Sequence, residues 1–196
     1  MSFRIEKKYE IGLAKLTNFY EFLNKNSSSQ LYPARAIRSI YFDNHHFSSY
    51  HESIEGTVPR KKIRIRNYPN KNDKFNLEIK INSIEGRYKT VENDINYQDL
   101  LKKGYFDSNY GLCFPVVEIT YFRKYFFVFN LRVTLDTSIS YKKYNEKKAI
   151  PFVENAIVEV KTNDLDNYNY IDEKFHFQTT RFSKYCNAIE ELNIFF

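Results

Sequence analysis

Along most of this chain apolar and polar residues exchange places at every second position. The alternation covers residues 2–9, 35–43, 60–68, 74–82, 86–93, 115–127, 130–139 and 156–162, and period two is the mark of half-buried antiparallel strands. Helical spacing is rarer. Leu13, Leu16, Phe19, Tyr20 and Leu23 recur at three- and four-residue intervals, and shorter amphipathic stretches fit 95–103, 165–175 and 185–194. Three segments, Lys25–Tyr32, Asn67–Lys74 and Tyr141–Pro151, read as surface loops or hairpin connections. Together these signals predict an α+β fold, an eight-stranded antiparallel β-barrel, closed or nearly closed, with helices packed outside. No linker divides the sequence and no repeat of roughly 20–50 residues is visible, so residues 1–196 are expected to form one domain.

What alternates is informative. The first strand carries Arg4, Glu6 and Lys8 on one face; the third carries Arg60, Lys62, Arg64 and Arg66, with Ile63 and Ile65 opposite. Glu78 and Lys80 lie between Leu77, Ile79 and Ile81, and Glu159 and Lys161 alternate with Val158 and Val160. Arg132 and Asp136 are in phase within LRVTLDTSI. Neighbouring side chains of a strand point to opposite sides, so each charged set points one way. Taken singly, such a strand reads as the solvated face of an ordinary sheet. Taken together, the repeated Glu-x-Lys (Glu6/Lys8, Glu78/Lys80, Glu159/Lys161) and Arg-x-Arg describe a charged barrel interior, with the apolar faces outward under helices. Its cations would grip a phosphate chain, each charge-assisted hydrogen bond contributing about 1.5–3 kcal/mol. The carboxylates would bind a divalent cation and limit repulsion among the basic groups.

Composition changes this picture little. The formal charge is 30 − 24 = +6 and the pI about 9.1, which raises nucleic acid as a partner. The abundance of Lys, Asn, Ile, Tyr and Phe also matches AT-rich coding, and the basic run RKKIRIR is interleaved with Ile, so no nucleic-acid partner is expected. With 42% hydrophobic residues, 5 Gly and 5 Pro, disordered and collagen-like classes are excluded. No apolar run reaches the roughly 20 residues of a membrane helix, and the start MSFRIEKKYE is too charged for a signal peptide. A cytoplasmic protein without a membrane segment is expected; its oligomeric state is left open.

Other chemistry is sparse. His45 and His46 lack a third ligand at metal spacing, and Cys113 and Cys186 read as buried free thiols. The aromatic stripe Tyr121, Phe122, Tyr125, Phe126, Phe127 and Phe129 reads as core rather than a base-stacking platform. No P-loop, GxGxxG or GxSxG occurs, so triphosphate binding would rely on side chains.

The blocks FRIEKKY, SIYFD, RKKIRIRNY, NLEIK, EITYFRKYF, LRVTLDTSI, IVEVK and RFSKY run in an order that resembles the VTC domain. That family is the polyphosphate polymerase domain of the triphosphate tunnel metalloenzymes and their CYTH-like superfamily, and the resemblance is to its stand-alone bacterial type. The resemblance implies an antiparallel tunnel that binds ATP or another triphosphate, polyphosphate, and Mg²⁺ or Mn²⁺. It implies catalytic roles for Arg64, Arg66, Arg132 and Glu159, and phosphate binding by Lys8, Arg60, Lys80, Arg123, Lys161, Ser183 and Lys184. Glu159 is the implied metal ligand, followed by Glu6 and Glu78, hard oxygen donors suited to such cations. One departure is Pro69 after Tyr68, where the family often continues with Gly. The implied function is a metal-dependent polymerase transferring the terminal phosphate of ATP to a polyphosphate chain. The alternatives are a tripolyphosphatase or nucleoside triphosphatase of the same fold, or a polyphosphate-binding module without catalysis.

Overall fold

The computed structural model describes residues 5–69, 72–84, 86–152, 155–162 and 167–194; Arg4 lies outside them. Ten strands are present among these residues: β1 (Ile5–Gly12), β2 (Ser29–Asp43), β3 (Arg60–Tyr68), β4 (Asn72–Ser83), β5 (Gly86–Glu92), β6 (Tyr105–Asp107), β7 (Gly111–Val128), β8 (Leu131–Lys143), β9 (Ala149–Pro151) and β10 (Asn155–Thr162). Five α-helices accompany them: α1 (Leu16–Lys25), α2 (Ser48–Glu55), α3 (Tyr97–Lys103), α4 (Asn167–Lys174) and α5 (Lys184–Glu191). All eight expected strands are found. The expected loop at Lys25–Tyr32 shrinks to residues 26–28, because Ser29–Tyr32 already belong to β2, and the one at Tyr141–Pro151 contains the end of β8 and all of β9.

The strand order is β1-β10-β8-β7-β2-β3-β4-β5, with β6 on β7 and β9 on β8. The expected antiparallel α+β sheet is present, and of the closed or nearly closed barrel the closure is missing, since the strands form an open path among the described residues. Its physical reason lies at β1, whose outer edge is met by the chain at Thr179 and Thr180 through a Tyr9–Thr179 bridge and a Thr180 N–H to Lys8 carbonyl bond of 2.8 Å. β5 remains a charged, mostly exposed edge, a common protection against edge-to-edge pairing.

Two compact units form from discontinuous stretches: Met1–Arg35, Tyr121–Ile139 and Phe152–Phe182 in the first, Ala36–Thr120, Ser140–Pro151 and Ser183–Phe196 in the second. In the first, Tyr9, Ile11, Val133, Leu135, Val158 and Val160 are buried beneath Phe19 and Leu23 of α1 and Ile171 of α4. In the second, Ile40, Phe42, Ile63, Ile65 and Leu77 are buried with Cys113, and Tyr97, Leu100 and Leu101 of α3 pack against them. Each fully buried aliphatic or aromatic side chain contributes about 1.5–3 kcal/mol. In both units the alternation therefore resolves as expected, with the apolar face under helices and the charged residues on the other. No helix among the described residues is long and apolar enough to cross a membrane.

The departure at Pro69 has a local counterpart, because the β3–β4 register shifts between Arg66 and Tyr68. Proline has no N–H to continue the ladder. Both cysteines are buried free thiols, and burial pushes the Cys113 thiol up to about 12.

Candidate functional site

In the second unit, antiparallel register sets Ser39 opposite Arg66, Tyr41 opposite Arg64, Arg64 opposite Glu78, Lys62 opposite Lys80, and Lys80 opposite Lys89. Directly opposed residues share a side of the sheet, so five cations gather with Glu78. Glu78 is 4% exposed. Its Oε2 accepts from Arg64 Nε and Nη2 at 2.8 and 2.6 Å, its Oε1 accepts from Lys89 Nζ at 2.6 Å, and Arg66 Nη1 lies 3.5 Å away. Burial would raise this carboxyl, but the surrounding cations hold it far below the usual carboxylate range.

The same guanidinium groups are steered from β2. Arg64 Nη1 donates to the Tyr41 hydroxyl at 2.7 Å and Arg66 Nε to Ser39 Oγ at 3.0 Å. Burial alone would raise the Tyr41 phenol; Arg64 and Arg66 reverse the sign and lower it. Next to them, burial lowers the Lys62 ammonium, which donates to Ser183 Oγ at 2.7 Å. Ser183 also caps α5, accepting from the Cys186 N–H at 3.3 Å. Tyr185 stacks on Tyr41 with ring centroids 5.2 Å apart and donates to Asp43 at 2.6 Å. Helix α5 thus covers the Lys62–Tyr41 part of the charged face, and Lys184 begins it. Arg60 is spent differently: its Nη1 donates to the Gly56 and Thr57 carbonyls at 3.1 and 2.8 Å, closing the connection after α2.

The first unit carries a second charged face. Glu6 is opposite Lys161, Lys8 opposite Glu159, Glu159 opposite Thr134, and Lys161 opposite Arg132. Lys161 Nζ sits between Glu6 Oε1 at 2.9 Å and Glu159 Oε1 at 3.2 Å, and burial lowers its ammonium. Arg123 grips Asp136 through two bonds of 2.5 and 2.6 Å and lies 3.6 Å from Glu159 Oε2. Burial opposes the Arg123 charge, yet Asp136 keeps it more firmly protonated than an ordinary arginine. Lys8 Nζ donates to the Phe182 carbonyl at 2.7 Å. Arg132 is exposed, with its guanidinium carbon 5.9 Å from the Tyr32 ring centroid and 5.8 Å from that of Tyr125.

Sequence reading did not single out Tyr41, Lys89, Asp136 or Thr134 as site residues. Asp136 had a signal, its phase with Arg132. The Thr134 hydroxyl is fully buried beside Glu159 with no hydrogen-bond partner among the described residues. Tyr121 and Tyr125, placed in the core by the stripe, are buried but flank arginines: Arg123 lies 5.3 Å from the Tyr121 ring.

Among the described residues no three His, Cys, Asp or Glu side chains group to hold a metal ion by themselves. Glu6 and Glu159 nonetheless meet at one point, the Lys161 ammonium. Two carboxylates fit a Mg²⁺ or Mn²⁺ ion whose remaining ligands are phosphate oxygens and water. Glu78 fits less well, since Arg64 and Lys89 take both its oxygens.

The family model described as the VTC domain matches residues 3–103 and 91–193. The chain belongs to the VTC domain family. Its fold is also similar to that of three solved structures. A proposed adenylate cyclase from Vibrio parahaemolyticus is similar at a TM-score of 0.59 and 14% identity, over 96% of this chain and 98% of that one. A proposed adenylyl cyclase from Hippeastrum, described as having a dominant triphosphatase activity, gives 0.55 and 15% over 95% and 96%. The PH1012 protein of Pyrococcus horikoshii gives 0.56 and 12% over 93% and 99%. Comparison with curated protein sequences found no match. At these identities the likenesses speak for the fold of this VTC domain, and its chemistry rests on the residues above.

Proposed function

We propose that this VTC domain is a metal-dependent polyphosphate polymerase that transfers the terminal phosphate of ATP to a polyphosphate chain. The observation that carries the reading is the pair of cation-rich faces with interspersed carboxylates, each built on the strands that bear the family's motifs. In the second unit Arg64 and Arg66 would meet phosphate oxygens, pre-aimed by Glu78, Tyr41 and Ser39, with Lys80, Lys89, Ser183 and Lys184 beside them. In the first, Lys8, Lys161 and Arg123 would hold phosphates, with Glu159 and Glu6 as the residues that would hold the cation. When bound, that cation would neutralise phosphate charge and orient the transferred group. Positioning and charge neutralisation supply most of the catalysis in phosphoryl transfer.

In the reaction a terminal oxygen of the acceptor chain forms a new P–O bond to the γ-phosphorus. The bond from that phosphorus to the β-bridging oxygen breaks, and ADP leaves with the electron pair. The attacking oxygen is already anionic at neutral pH and needs no general base. Glu6, Glu78, Asp136 and Glu159 are each bonded to a Lys or Arg, which supports transfer to an anionic acceptor over activation of water by a free carboxylate.

The test is incubation of the purified protein with ATP and Mn²⁺, with products resolved by length on a gel. Chains longer than the input are expected. Orthophosphate alone would replace this reading with the triphosphatase one. No turnover with any triphosphate, beside retained affinity for polyphosphate, would leave a binding module.

A further inference from the structure

At one end of the charged face of the first unit, two tyrosines and two arginines form a cluster that phosphate chemistry does not require. Tyr32 of β2 and Tyr125 of β7 meet edge to face, with centroids 5.6 Å apart at 87°. The Arg35 guanidinium carbon lies 5.0 Å from the Tyr125 centroid and 6.0 Å from that of Tyr32. Arg132 lies 5.8 and 5.9 Å from the same two rings. Tyr125 is 5% exposed whereas Tyr32 is 45% exposed, so one ring anchors the cluster and the other offers a surface to solvent.

Two features mark this as more than packing. Arg132 is an exposed cation that makes no ion pair among the described residues, although its register partner Lys161 has both Glu6 and Glu159. Two guanidinium groups against the same two rings also repel one another, and a π-rich ligand with acceptor atoms on its edge would relieve that. A nucleobase has this chemistry. Its face stacks on an aromatic ring or a guanidinium plane, and its ring nitrogens and carbonyls accept hydrogen bonds from arginine. A bare phosphate chain could accept from the Tyr32 hydroxyl but has no use for its ring face.

We propose that Tyr32, with Arg35 and Arg132, binds the base of a nucleoside triphosphate. The inference rests on the phosphate-transfer reading and extends it: the donor is recognised by its base as well as by its phosphates. Because β8 places Arg132 beside Lys161 of β10, a base on Tyr32 has its phosphates next to the Lys161–Glu159 pair. The cluster thus separates a nucleotide from inorganic tripolyphosphate.

The experiment compares the affinity of wild type, Tyr32→Ala and Tyr32→Phe for two probes, ATP and inorganic tripolyphosphate, by calorimetry. Loss of one stacked base predicts about a ten-fold weakening of ATP by Tyr32→Ala. Tyr32→Phe should stay within about two-fold of wild type because the ring is kept. Tripolyphosphate affinity should be the same in all three proteins. Equal weakening of both probes by Tyr32→Ala, or none for ATP, would overturn the base site. So would a wild type that binds ATP no better than expected from tripolyphosphate. Failure of the wild type to bind tripolyphosphate at all would overturn the phosphate reading, and the base site with it.

Discussion

A carboxylate ringed by cations is stabilising only while it is ionised, and Glu78 is such a group. Its carboxyl is held far below the usual range by Arg64, Arg66 and Lys89, so the folded state keeps it charged where the unfolded chain would protonate it. Stability from this group is therefore complete above the unfolded value of about 4.3 and is lost as pH falls below it toward the folded value. Glu78→Gln leaves the three cations facing each other. Removing one partner of a fully buried pair costs about 3–5 kcal/mol; here roughly 2 is expected, because the Lys89 side chain is 39% exposed. Denaturant unfolding at pH 7 and pH 3 checks this: the gap between wild type and variant should shrink at pH 3, and a constant gap would refute it. The lysines give the opposite sign. Burial lowers Lys62 and Lys161, and a bound phosphate would restore their ammonium charge, so binding should take up protons at alkaline pH. Calorimetry of tripolyphosphate binding at pH 9 in buffers of different ionisation enthalpy measures that uptake. Proton exchange that Lys62→Met and Lys161→Met leave unchanged would contradict phosphate contact by these lysines.

Elements whose two faces differ were legible from the chain, and those held by distant residues were not. β3 and β10 announce themselves because Ile63, Ile65, Val158 and Val160 are buried while their neighbours carry charge. The start of β2 is mostly exposed, so it has no alternation to read. Helix α2, SSYHESIE, buries only Ser49 and is held at its start by Asp43, whose carboxylate accepts the N–H groups of Ser49 and Tyr50 at 3.1 Å each. The site divides in the same way. Same-strand spacing exposed Glu6, Glu78, Lys161 and the β3 arginines Arg64 and Arg66, but the joining of Lys89 to Glu78, and of Asp136 to Arg123, depends on register between strands. Glycines show how far such context reaches. Gly56 and Gly104 both have left-handed φ, +79° and +80°, yet a Cβ at Gly56 meets nothing within 4 Å whereas at Gly104 it comes 2.7 Å from the Cys113 carbonyl oxygen. Gly56→Ala should cost about 1 kcal/mol from backbone strain alone. Gly104→Ala should cost about 3, since the chain after α3 must also move away from the Cys113 carbonyl of β7. Thermal unfolding of the two variants would disprove the account if the order were reversed.

For the molecule as a whole, a net charge of +6 says little about what is bound, because the charges are sorted by strand face. A duplex binder presents its cations outward and unmixed, where they meet evenly spaced backbone phosphates. Here Arg66, Glu78 and Glu159 are each less than a tenth exposed, and the cations nearest the carboxylates are already paired. A short, flexible phosphate chain can exchange with those carboxylates one oxygen at a time. A rigid duplex cannot reach these half-buried cations without meeting the acidic groups beside them. Affinity for tripolyphosphate should therefore exceed that for double-stranded DNA at matched phosphate concentration. The excess should persist as salt rises, since partly buried pairs are screened less than exposed ones at Debye lengths of about 10 Å and below. Competition with a labelled tripolyphosphate at low and at physiological ionic strength measures both. Displacement by DNA at equal phosphate concentration would mean that the basic residues act as an open patch, and a nucleic-acid partner, contrary to the expectation from the sequence, would then replace the phosphate-chain reading.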